Sequence, residues 1–254
     1  MKIAYQGIPG SYSESCAKKN YPECETISCK TFDECFEMAS NDNSIRAIIP
    51  ESNKTTGNIG IEYLIFKFRL NIYAEHFYKI SHNLLGLKGT KIEDIKDVYS
   101  HAQALSQSSI FIKKNNLNEQ VRADTAGSAK FVSETKDKTK AAIASNLSAE
   151  IYDLEIIDEN IQDNKENFTR FLLMGKDIIQ PEKDNKLLYV TSFLFKLKSK
   201  PAALYSSLQG MAINGVNMIK LQSFPEKNSL EDLTYHCEDM SVLGVFEADK
   251  LRKK

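Results

Sequence analysis

Long apolar runs are missing from this chain of 254 residues. No stretch approaches the about 20 apolar residues that a membrane-spanning helix needs, and the first seven residues lead into a predicted strand without the apolar core of a signal peptide. We therefore expect a cytoplasmic protein with no membrane partner. The 33 basic and 34 acidic residues leave a net charge of -1, so there is no basic surplus that would favour nucleic acid as a partner.

Closely paired cysteines are also lacking. The five cysteines include no C-x-x-C pair, and the four that lie near one another have spacings that match no common zinc pattern. These four are Cys16, Cys24, Cys29 and Cys35. We expect buried free thiols and no metal site.

A dinucleotide fingerprint is absent from the first turn. Residues 7–10 join a predicted strand to a helix whose capping box runs from Ser11 to Glu14. Such a junction is a local anion-binding geometry, but the spacing G-x-G-x-x-G does not occur. Ser11 and Ser13 are therefore candidate substrate contacts, with a plain strand-to-helix turn as the alternative.

What the chain does contain is an alternation of short apolar strands and capped helices. The order β-α-β-α-β over the first fifty residues predicts a parallel sheet with covering helices, and the alternation returns between residues 98 and 152. Polar side chains follow several strand ends, where open α/β sheets bind ligands. They are Asn53, Lys54, Ser100, Gln103 and Thr125. Each cluster alone is typical of helix capping, but their recurrence at equivalent places predicts two lobes around a cleft.

The stretch 166–171 gives the strongest indication of a functional site in the sequence. Thr169 and Arg170 stand at the mouth of an apolar run that begins at Phe171, and an unpaired charge in a buried strand is strongly disfavoured. Arg170 offers a planar fork that fits a carboxylate, and Thr169 offers a hydroxyl that can donate a hydrogen bond. The pattern indicates a strand end that lines a cleft, with a surface strand end as the alternative.

A second, smaller unit is predicted after a polar stretch over residues 177–186. Its strands are expected over 187–197, 216–224, 233–237 and 241–246, and its helix over 201–213 begins at a proline. This composition predicts a small α+β domain.

Together these segments resemble the prephenate dehydratase family over nearly the whole chain. Each matching segment is weak alone, but their order and spacing are jointly specific. They are residues 7–13, 49–50 with Asn53 and Gly57, 82–85, 100–105, 124–126 and 167–171. Two departures stand out: the family pattern Pro-Ile-Glu-Asn-Ser reads Pro50-Glu51-Ser52-Asn53-Lys54 here, and Ala102 replaces a usual proline.

The resemblance implies a fold and an activity. The fold is α/β, with a two-lobed catalytic domain over 1–178 like that of periplasmic binding proteins, followed by an ACT-like regulatory or association domain over 187–254. Lobe one is expected over about 1–78 and 158–178, and lobe two over about 79–157. The activity is that of a carbon–oxygen lyase, which converts prephenate to phenylpyruvate with loss of carbon dioxide and water in phenylalanine biosynthesis and uses no cofactor.

The resemblance also assigns roles to residues. Thr169 is expected to donate to the leaving hydroxyl, Arg170 to pair with a substrate carboxylate, and Phe171 to pack beneath the site. Further substrate contacts are expected from Ser11, Ser13, Asn53, Lys54, Ser100, Gln103 and Thr125. Two alternatives stay open: arogenate dehydratase, and a non-catalytic small-anion-binding protein of the same fold. The intact Thr-Arg-Phe sequence argues against the second.

Regulation is expected to be weakened. The family's effector motifs read Ala202-Ala203-Leu204 and Gln222-Ser223-Phe224-Pro225 here, so the charges that would engage an amino acid are gone. Only residues 238–240 remain between the last two predicted strands, which is too short for the second helix of an ACT domain. At the effector positions Ala203, Leu204 and Ser223 we expect weak phenylalanine binding or none, and we expect the domain to hold a homodimer or homotetramer together.

Overall fold

The computed structural model describes residues 1–182, 184, 186–195, 197, 201–223 and 240–253. Its strands are β1 (Lys2–Gln6), β2 (Glu25–Cys29), β3 (Ile45–Asn53), β4 (Gly57–Asn58), β5 (Asn71–Lys79), β6 (Asn83–Gly86), β7 (Asp97–His101), β8 (Asn118–Arg122), β9 (Lys140–Ala144), β10 (Glu155–Asp158), β11 (Phe168–Gly175), β12 (Tyr189–Phe195) and β13 (Met240–Glu247). Its α-helices are α1 (Tyr12–Asn20), α2 (Phe32–Asn41), α3 (Glu62–Phe68), α4 (Ala102–Ser106), α5 (Ser109–Lys114), α6 (Thr125–Thr135), α7 (Asn146–Ile151) and α8 (Ala203–Ile213).

The first sheet has the order β2-β1-β3-β11-β5, with β4 paired to β3. β1 runs parallel to β2 and β3, whereas β11 is antiparallel to both of its neighbours. Successive side chains of a strand point to opposite faces, and β11 is buried on both. Leu172 packs with Phe36 of α2 on one face, and Phe171 packs with Cys16 of α1 on the other. The apolar run beside Thr169 is thus a central strand.

The second sheet has the order β10-β6-β9-β7-β8. Its core is formed by residues such as Leu84, Val98 and Ile143 on one side, and Leu85, Ala129 and Ala142 on the other. The chain passes from the first sheet to the second between β5 and β6 and returns between β10 and β11. These two sheets confirm the predicted α/β class, and the chain crosses between them twice.

Local capping positions the first helix as the sequence predicts. Ser11 Oγ accepts a hydrogen bond from the backbone N–H of Glu14 at 3.3 Å, which fixes the start of α1. The carboxylate of Glu14 accepts from the N–H of Gly10 at 2.7 Å instead of that of Ser11. Gly10 has φ +92°, a conformation that glycine adopts at little cost.

The C-terminal unit is partly as predicted. β12 and β13 form an antiparallel pair with α8 following β12, and β13 packs so closely on β5 that a Cβ added at Gly244 would lie 2.1 Å from the carbonyl oxygen of Ile72. Only a glycine permits that approach.

One predicted strand of this unit is wrong. Residues 216–223 form no strand, although their composition suits one, because β-propensity acts only where a neighbouring strand and a packed face are present. Val216 and Ile219 are each 54% exposed. The predicted strand over 233–237 and the expected loss of the second helix fall outside the described residues.

Candidate active site

Thr169 is the second residue of β11 and is 6% exposed. Its partner in register on β3 is Asn53, and Asn167 precedes it by two residues, which places both on the same side of the strand. Asn53 Nδ2 donates to Thr169 Oγ1 at 2.9 Å and to Asn167 Oδ1 at 2.9 Å. The strand pairing itself therefore assembles a buried cluster of amides around the hydroxyl.

The direction of these hydrogen bonds is fixed by the backbone. Asn53 Oδ1 accepts from the N–H groups of Thr55 at 2.9 Å and Thr56 at 3.1 Å. Backbone N–H groups only donate, so the oxygen of the Asn53 carboxamide must face them and its nitrogen must face Thr169. Thr169 Oγ1 consequently accepts from Asn53, and its own proton is left to donate elsewhere.

The second lobe contributes Gln107, which follows α4. Its Oε1 accepts from Asn167 Nδ2 at 2.9 Å and lies 2.9 Å from His82 Nε2, while its Nε2 is buried without a partner among the described residues. Gln103, one helical turn earlier, donates from Nε2 to Thr56 Oγ1 at 2.9 Å. The two lobes thus meet through glutamines at the Thr169 cluster.

Sequence reasoning selected Gln103 and missed Gln107. The signal was present, because a helix that continues past Gln103 places Gln107, four residues later, on the same face. That helix is interrupted, with α4 ending at Ser106 and α5 beginning at Ser109. The interruption lies at Gln107 itself.

Two of the other predicted hydroxyls bind the backbone. Ser100 is fully buried and donates to the carbonyl of Ile143 at 2.7 Å, Ser11 caps α1, and Thr125 is half-buried at the start of α6. Ser13 is 7% exposed within α1. Within the described residues, none of these four belongs to the hydrogen-bond cluster of Thr169.

Lys54 lies at the rim of the cluster. Its backbone N–H donates to the carbonyl of Phe168 at 2.8 Å, and its Nζ lies 2.6 Å from Glu166 Oε2. The two side chains are 54% and 74% exposed. The charge that Lys54 would present to an anion is therefore partly balanced by Glu166.

Arg170 has partners inside the chain. Its Nε lies 2.8 Å from Glu75 Oε2 and its Nη1 lies 3.2 Å from Glu51 Oε2, and the guanidinium is largely buried. The expectation that Arg170 pairs with a substrate carboxylate is at odds with this placement, because two of its donors already bind carboxylates. It also follows Thr169 directly on the strand and so faces the opposite side.

The same carboxylates bind cations of the C-terminal unit. Arg252 Nε and Nη2 each lie 2.6 Å from Glu75, whose side chain is fully buried, and Lys220 binds Glu51.

The register between β3 and β11 shifts between Arg170 and Phe171, which leaves Glu51 as the extra residue on β3. Such a bulge re-aims a side chain; here the bulged residue is Glu51, which binds Arg170. We call Arg170, Glu51, Glu75, Lys220 and Arg252 the ionic cluster.

The electrostatics of the two clusters differ. Burial alone would raise the pKa of Glu75, but Arg252 and Arg170 outweigh it and hold that pKa below its ordinary value. The pKa of Glu51 is lowered in the same way, with Lys220 as the main opposing cause to burial. Burial lowers the pKa of His82, so the imidazole beside Gln107 is neutral at pH 7.

Phe171 and three of the four described cysteines lie in the core. Phe171 is 2% exposed and packs edge-on against Tyr78, with ring centroids 6.3 Å apart. Cys16, Cys29 and Cys35 are buried free thiols, and Cys24 is half-buried. Among the described residues no group of histidine, cysteine and acidic side chains could hold a metal ion, and no helix there is long and apolar enough to cross a membrane.

Comparison with known proteins decides the family. The sequence model of the prephenate dehydratase family matches residues 3–178, which include both lobes and the Thr169 cluster. The chain belongs to the prephenate dehydratase family. The resemblance seen in the sequence is thereby confirmed.

Relatives within this family differ in name and in length. Arogenate dehydratase 2 of Petunia hybrida is 39% identical over 92% of this chain, but the chain spans only 59% of that protein. A bifunctional N-acyl-homoserine lactone acylase/prephenate dehydratase of Komagataeibacter europaeus is 31% identical and matches 99% of this chain and 98% of its own length.

Solved structures give the same fold. GqqA, described as a novel type of quorum quenching acylase, is 30% identical, with a TM-score of 0.90 over 99% of this chain and 100% of its own. The prephenate dehydratase of Arthrobacter aurescens in complex with L-Phe has a TM-score of 0.83 over 97% of this chain and 90% of its own, at 21% identity. At that identity the likeness shows the fold alone.

Proposed function

We propose that this protein is a prephenate dehydratase, a lyase that converts prephenate to phenylpyruvate, carbon dioxide and water. The observation that carries the proposal is the hydroxyl of Thr169, which accepts from Asn53 and therefore keeps its proton available. A buried hydroxyl that is forced to act as a donor is what a leaving hydroxide requires. The match to the family over residues 3–178 supports the same activity.

The chemistry needs little more than orientation and one good donor. In prephenate the bond from the ring to its carboxylate breaks, the electron pair enters the ring, and the ring C–O bond breaks as hydroxide leaves. Aromatisation drives the reaction, so the protein must orient the substrate and stabilise the departing charge. Acid assistance to a leaving group is typically worth about 10²–10⁴-fold. A threonine hydroxyl is a weak acid, so Thr169 supplies a strong hydrogen bond to the departing hydroxide, which takes from solvent the proton that makes it water.

Gln107 is the further donor that we assign to the substrate. Its Nε2 is buried and without a partner in the described part of the chain, and leaving a buried donor unpaired costs about 1–3 kcal/mol. A polar substrate in the cluster would satisfy it. With Arg170 bound to Glu51 and Glu75, this neutral donor and the rim residue Lys54 are the groups that we propose for binding a dianionic substrate.

The deciding experiment is a direct assay. Purified protein is mixed with prephenate, and phenylpyruvate formation is followed by absorbance, with Thr169→Ala as the matched inactive variant. Turnover by the wild type and its loss in the variant support the proposal. A folded wild-type protein with no turnover contradicts it.

Arogenate is the alternative substrate, because several relatives that are 36–39% identical are named arogenate dehydratases. In arogenate an amino-acid side chain replaces the keto acid, and the product is phenylalanine. Parallel assays with the two compounds compare kcat/KM directly. A higher value for arogenate would transfer the proposal to that substrate.

An acylase activity is a second candidate from a different class. It is favoured by two relatives that each match this chain over nearly their own whole length, the bifunctional protein and GqqA. The test is incubation with an N-acyl-homoserine lactone and measurement of the free homoserine lactone. Release that persists in Thr169→Ala would indicate a separate mechanism for that reaction.

For the C-terminal unit we propose an ACT-like role in association, with weak phenylalanine inhibition or none. Leu204 is 44% exposed and Ser223 is exposed, and apolar Ile213 and Leu221 are 76% and 48% exposed, as suits a surface that another subunit covers. Calorimetry with phenylalanine, together with activity measurements and sedimentation, tests this. Tight binding with strong inhibition, or a monomer at micromolar concentration, would contradict it. The cytoplasmic location stays a prediction.

A further inference from the structure

The buried imidazole of His82 has an unusually well-defined hydrogen-bond environment. His82 is 3% exposed and lies in the segment where the chain crosses from β5 to β6. Its Nδ1 is 2.7 Å from the hydroxyl of Tyr12, and its Nε2 is 2.9 Å from Gln107 Oε1. Both ring nitrogens are therefore engaged, one by each lobe.

The orientation of Gln107 follows from the backbone through two amides. The N–H groups of Thr55 and Thr56 fix Asn53, and Asn53 Nδ2 then donates to Asn167 Oδ1. Asn167 must consequently present its Nδ2 to Gln107, and the atom of Gln107 that receives it must be Oε1. The carboxamide of Gln107 cannot be turned around without breaking this series.

The tautomer of His82 is then determined. Since Gln107 Oε1 can only accept, His82 Nε2 must carry the proton, and a neutral ring leaves Nδ1 as an acceptor. The single proton of the Tyr12 hydroxyl is then shared between Nδ1 at 2.7 Å and the carbonyl of Ser81 at 2.9 Å. The opposite assignment would place the lone pairs of His82 Nε2 and Gln107 Oε1 against each other at 2.9 Å.

We propose that His82, held by Tyr12 as the neutral Nε2–H tautomer, is a positioning residue that fixes the carboxamide of Gln107 so that its amino group is the donor available to the substrate. The proposal rests on the proposed function, because it assigns Gln107 to the substrate of the same site. His82 itself transfers no proton. Its role is to occupy Gln107 Oε1 together with Asn167.

The first test needs no substrate. Protein labelled with 15N in histidine is studied by long-range proton–nitrogen NMR, which distinguishes the two neutral tautomers by the shifts of the ring nitrogens. We expect His82 as Nε2–H in the wild type, with Nδ1 shifted further towards an unbonded acceptor in Tyr12→Phe. An Nδ1–H tautomer in the wild type overturns the proposal.

A matched control exists elsewhere in the fold. The hydroxyl of Tyr21 lies 2.8 Å from His76 Nε2, with ring centroids 5.4 Å apart, against 5.5 Å for Tyr12 and His82. This pair joins the residue that follows α1 to β5, outside the Thr169 cluster. Tyr21→Phe should leave kcat/KM within about twofold of the wild type, whereas Tyr12→Phe should lower it about fivefold, as expected for one hydrogen bond.

The second test measures coupling between His82 and Gln107 in kcat/KM. His82→Leu should lower it about tenfold or more, and His82→Gln, which keeps an N–H near the position of Nε2, should recover most of that loss. In a Gln107→Leu background the His82→Leu change should cost less than about twofold, because the group that it positions is gone. Additive losses overturn the positioning role.

These outcomes distinguish a failure of the positioning role of His82 from a failure of the proposed dehydratase function. A wild-type protein without turnover of prephenate or arogenate overturns the proposed function and with it the substrate role of Gln107. A normal wild-type rate with additive losses overturns the positioning role alone. Should His82→Leu fail to fold, Tyr12→Phe and His82→Gln in the two backgrounds decide the same question.

Discussion

The two faces of β11 at its N-terminal end are built from opposite chemistry. On one, Thr169 and Asn167 belong to a neutral cluster of amides and hydroxyls whose direction is set by backbone N–H groups. On the other, Arg170 belongs to the ionic cluster, in which three cations surround two buried carboxylates. Thr169 and Arg170, although adjacent on one strand, thus belong to clusters of different chemistry.

The difference shows what each kind of contact does well. Neutral amides fix which atom donates without the large desolvation cost of buried ions, so they suit a site where one proton must point at a substrate. Buried ions are costly to separate, so they suit a junction that must not open. The ionic cluster joins β11 to the C-terminal unit through Lys220 and Arg252. Changes on the first face should therefore appear in kcat, and changes on the second in stability.

The largest effect is expected at Thr169. Thr169→Ala removes the donor to the leaving hydroxide and should lower kcat about 10²–10⁴-fold, with the Tm and the affinity for prephenate nearly unchanged. Thr169→Ser keeps a hydroxyl and should retain much of the rate. Stopped assays on the three proteins measure kcat, and calorimetry measures their Tm and their affinity for prephenate. Near-wild-type turnover in folded Thr169→Ala would remove Thr169 from the mechanism.

Substitutions in the ionic cluster should lower the stability of the fold more than they lower the rate. Glu75→Gln leaves Arg170 and Arg252 without their buried carboxylate, and breaking a buried pair costs about 3 kcal/mol or more, or roughly 10 °C in Tm for a chain of this size. We expect kcat to fall less than about tenfold. The control is Glu25→Gln, since Glu25 and Lys2 form an exposed pair. Equal Tm values for the two variants would contradict the role given to Glu75.

The same variant predicts a pH dependence. The pKa of Glu75 is lowered in the folded protein from its ordinary value of 4.5, so its carboxylate stabilises the fold above that value, and this contribution is lost as the pH falls through the lowered pKa. The gap in Tm between wild type and Glu75→Gln should therefore be full at pH 7 and shrink below pH 4.5. A Tm difference that grows as the pH falls would contradict the lowered pKa of Glu75.

Asn53 tests the neutral face through the two hydrogen bonds that its Nδ2 donates. Asn53→Asp keeps the acceptor for Thr55 and Thr56 but cannot donate to Thr169 or Asn167, and the proton of Thr169 would then turn towards the carboxylate. We expect kcat to fall about tenfold to hundredfold, as for a misdirected buried donor. Asn164→Asp adds the same charge in the exposed loop and keeps the acceptor for the N–H of Glu166, so it should have little effect. Similar losses in both would indicate charge alone.

The smallest effect is expected at Lys54, on the rim of the neutral face. Because Glu166 already lies 2.6 Å from Lys54 Nζ, Lys54→Ser should lower kcat/KM only about twofold at low salt, and the difference should vanish near 1 M salt, where charges are screened within about 3 Å. Rates measured across ionic strength decide this. A large loss that does not depend on salt would mean direct contact between Lys54 and the substrate.

The sequence by itself determined the α/β class and the family, and it singled out Thr169 as the candidate donor. These follow from local signals: apolar strands, capping residues and segments whose order and spacing are jointly specific. Local capping also predicted the start of α1 at Ser11, because the hydrogen bond to Glu14 involves residues only three apart.

Only the tertiary structure decided what the polar side chains bind. The partners of Arg170 come from β3 and β5, up to 119 residues away in the case of Glu51, and no local pattern contains that information. The same holds for Gln107, which is brought to Asn167 by the crossing between the lobes, and for residues 216–223, whose composition suits a strand that no neighbouring strand pairs with in the described residues. Sequence specifies which groups can donate or accept, whereas the pairing of strands and lobes decides which groups meet.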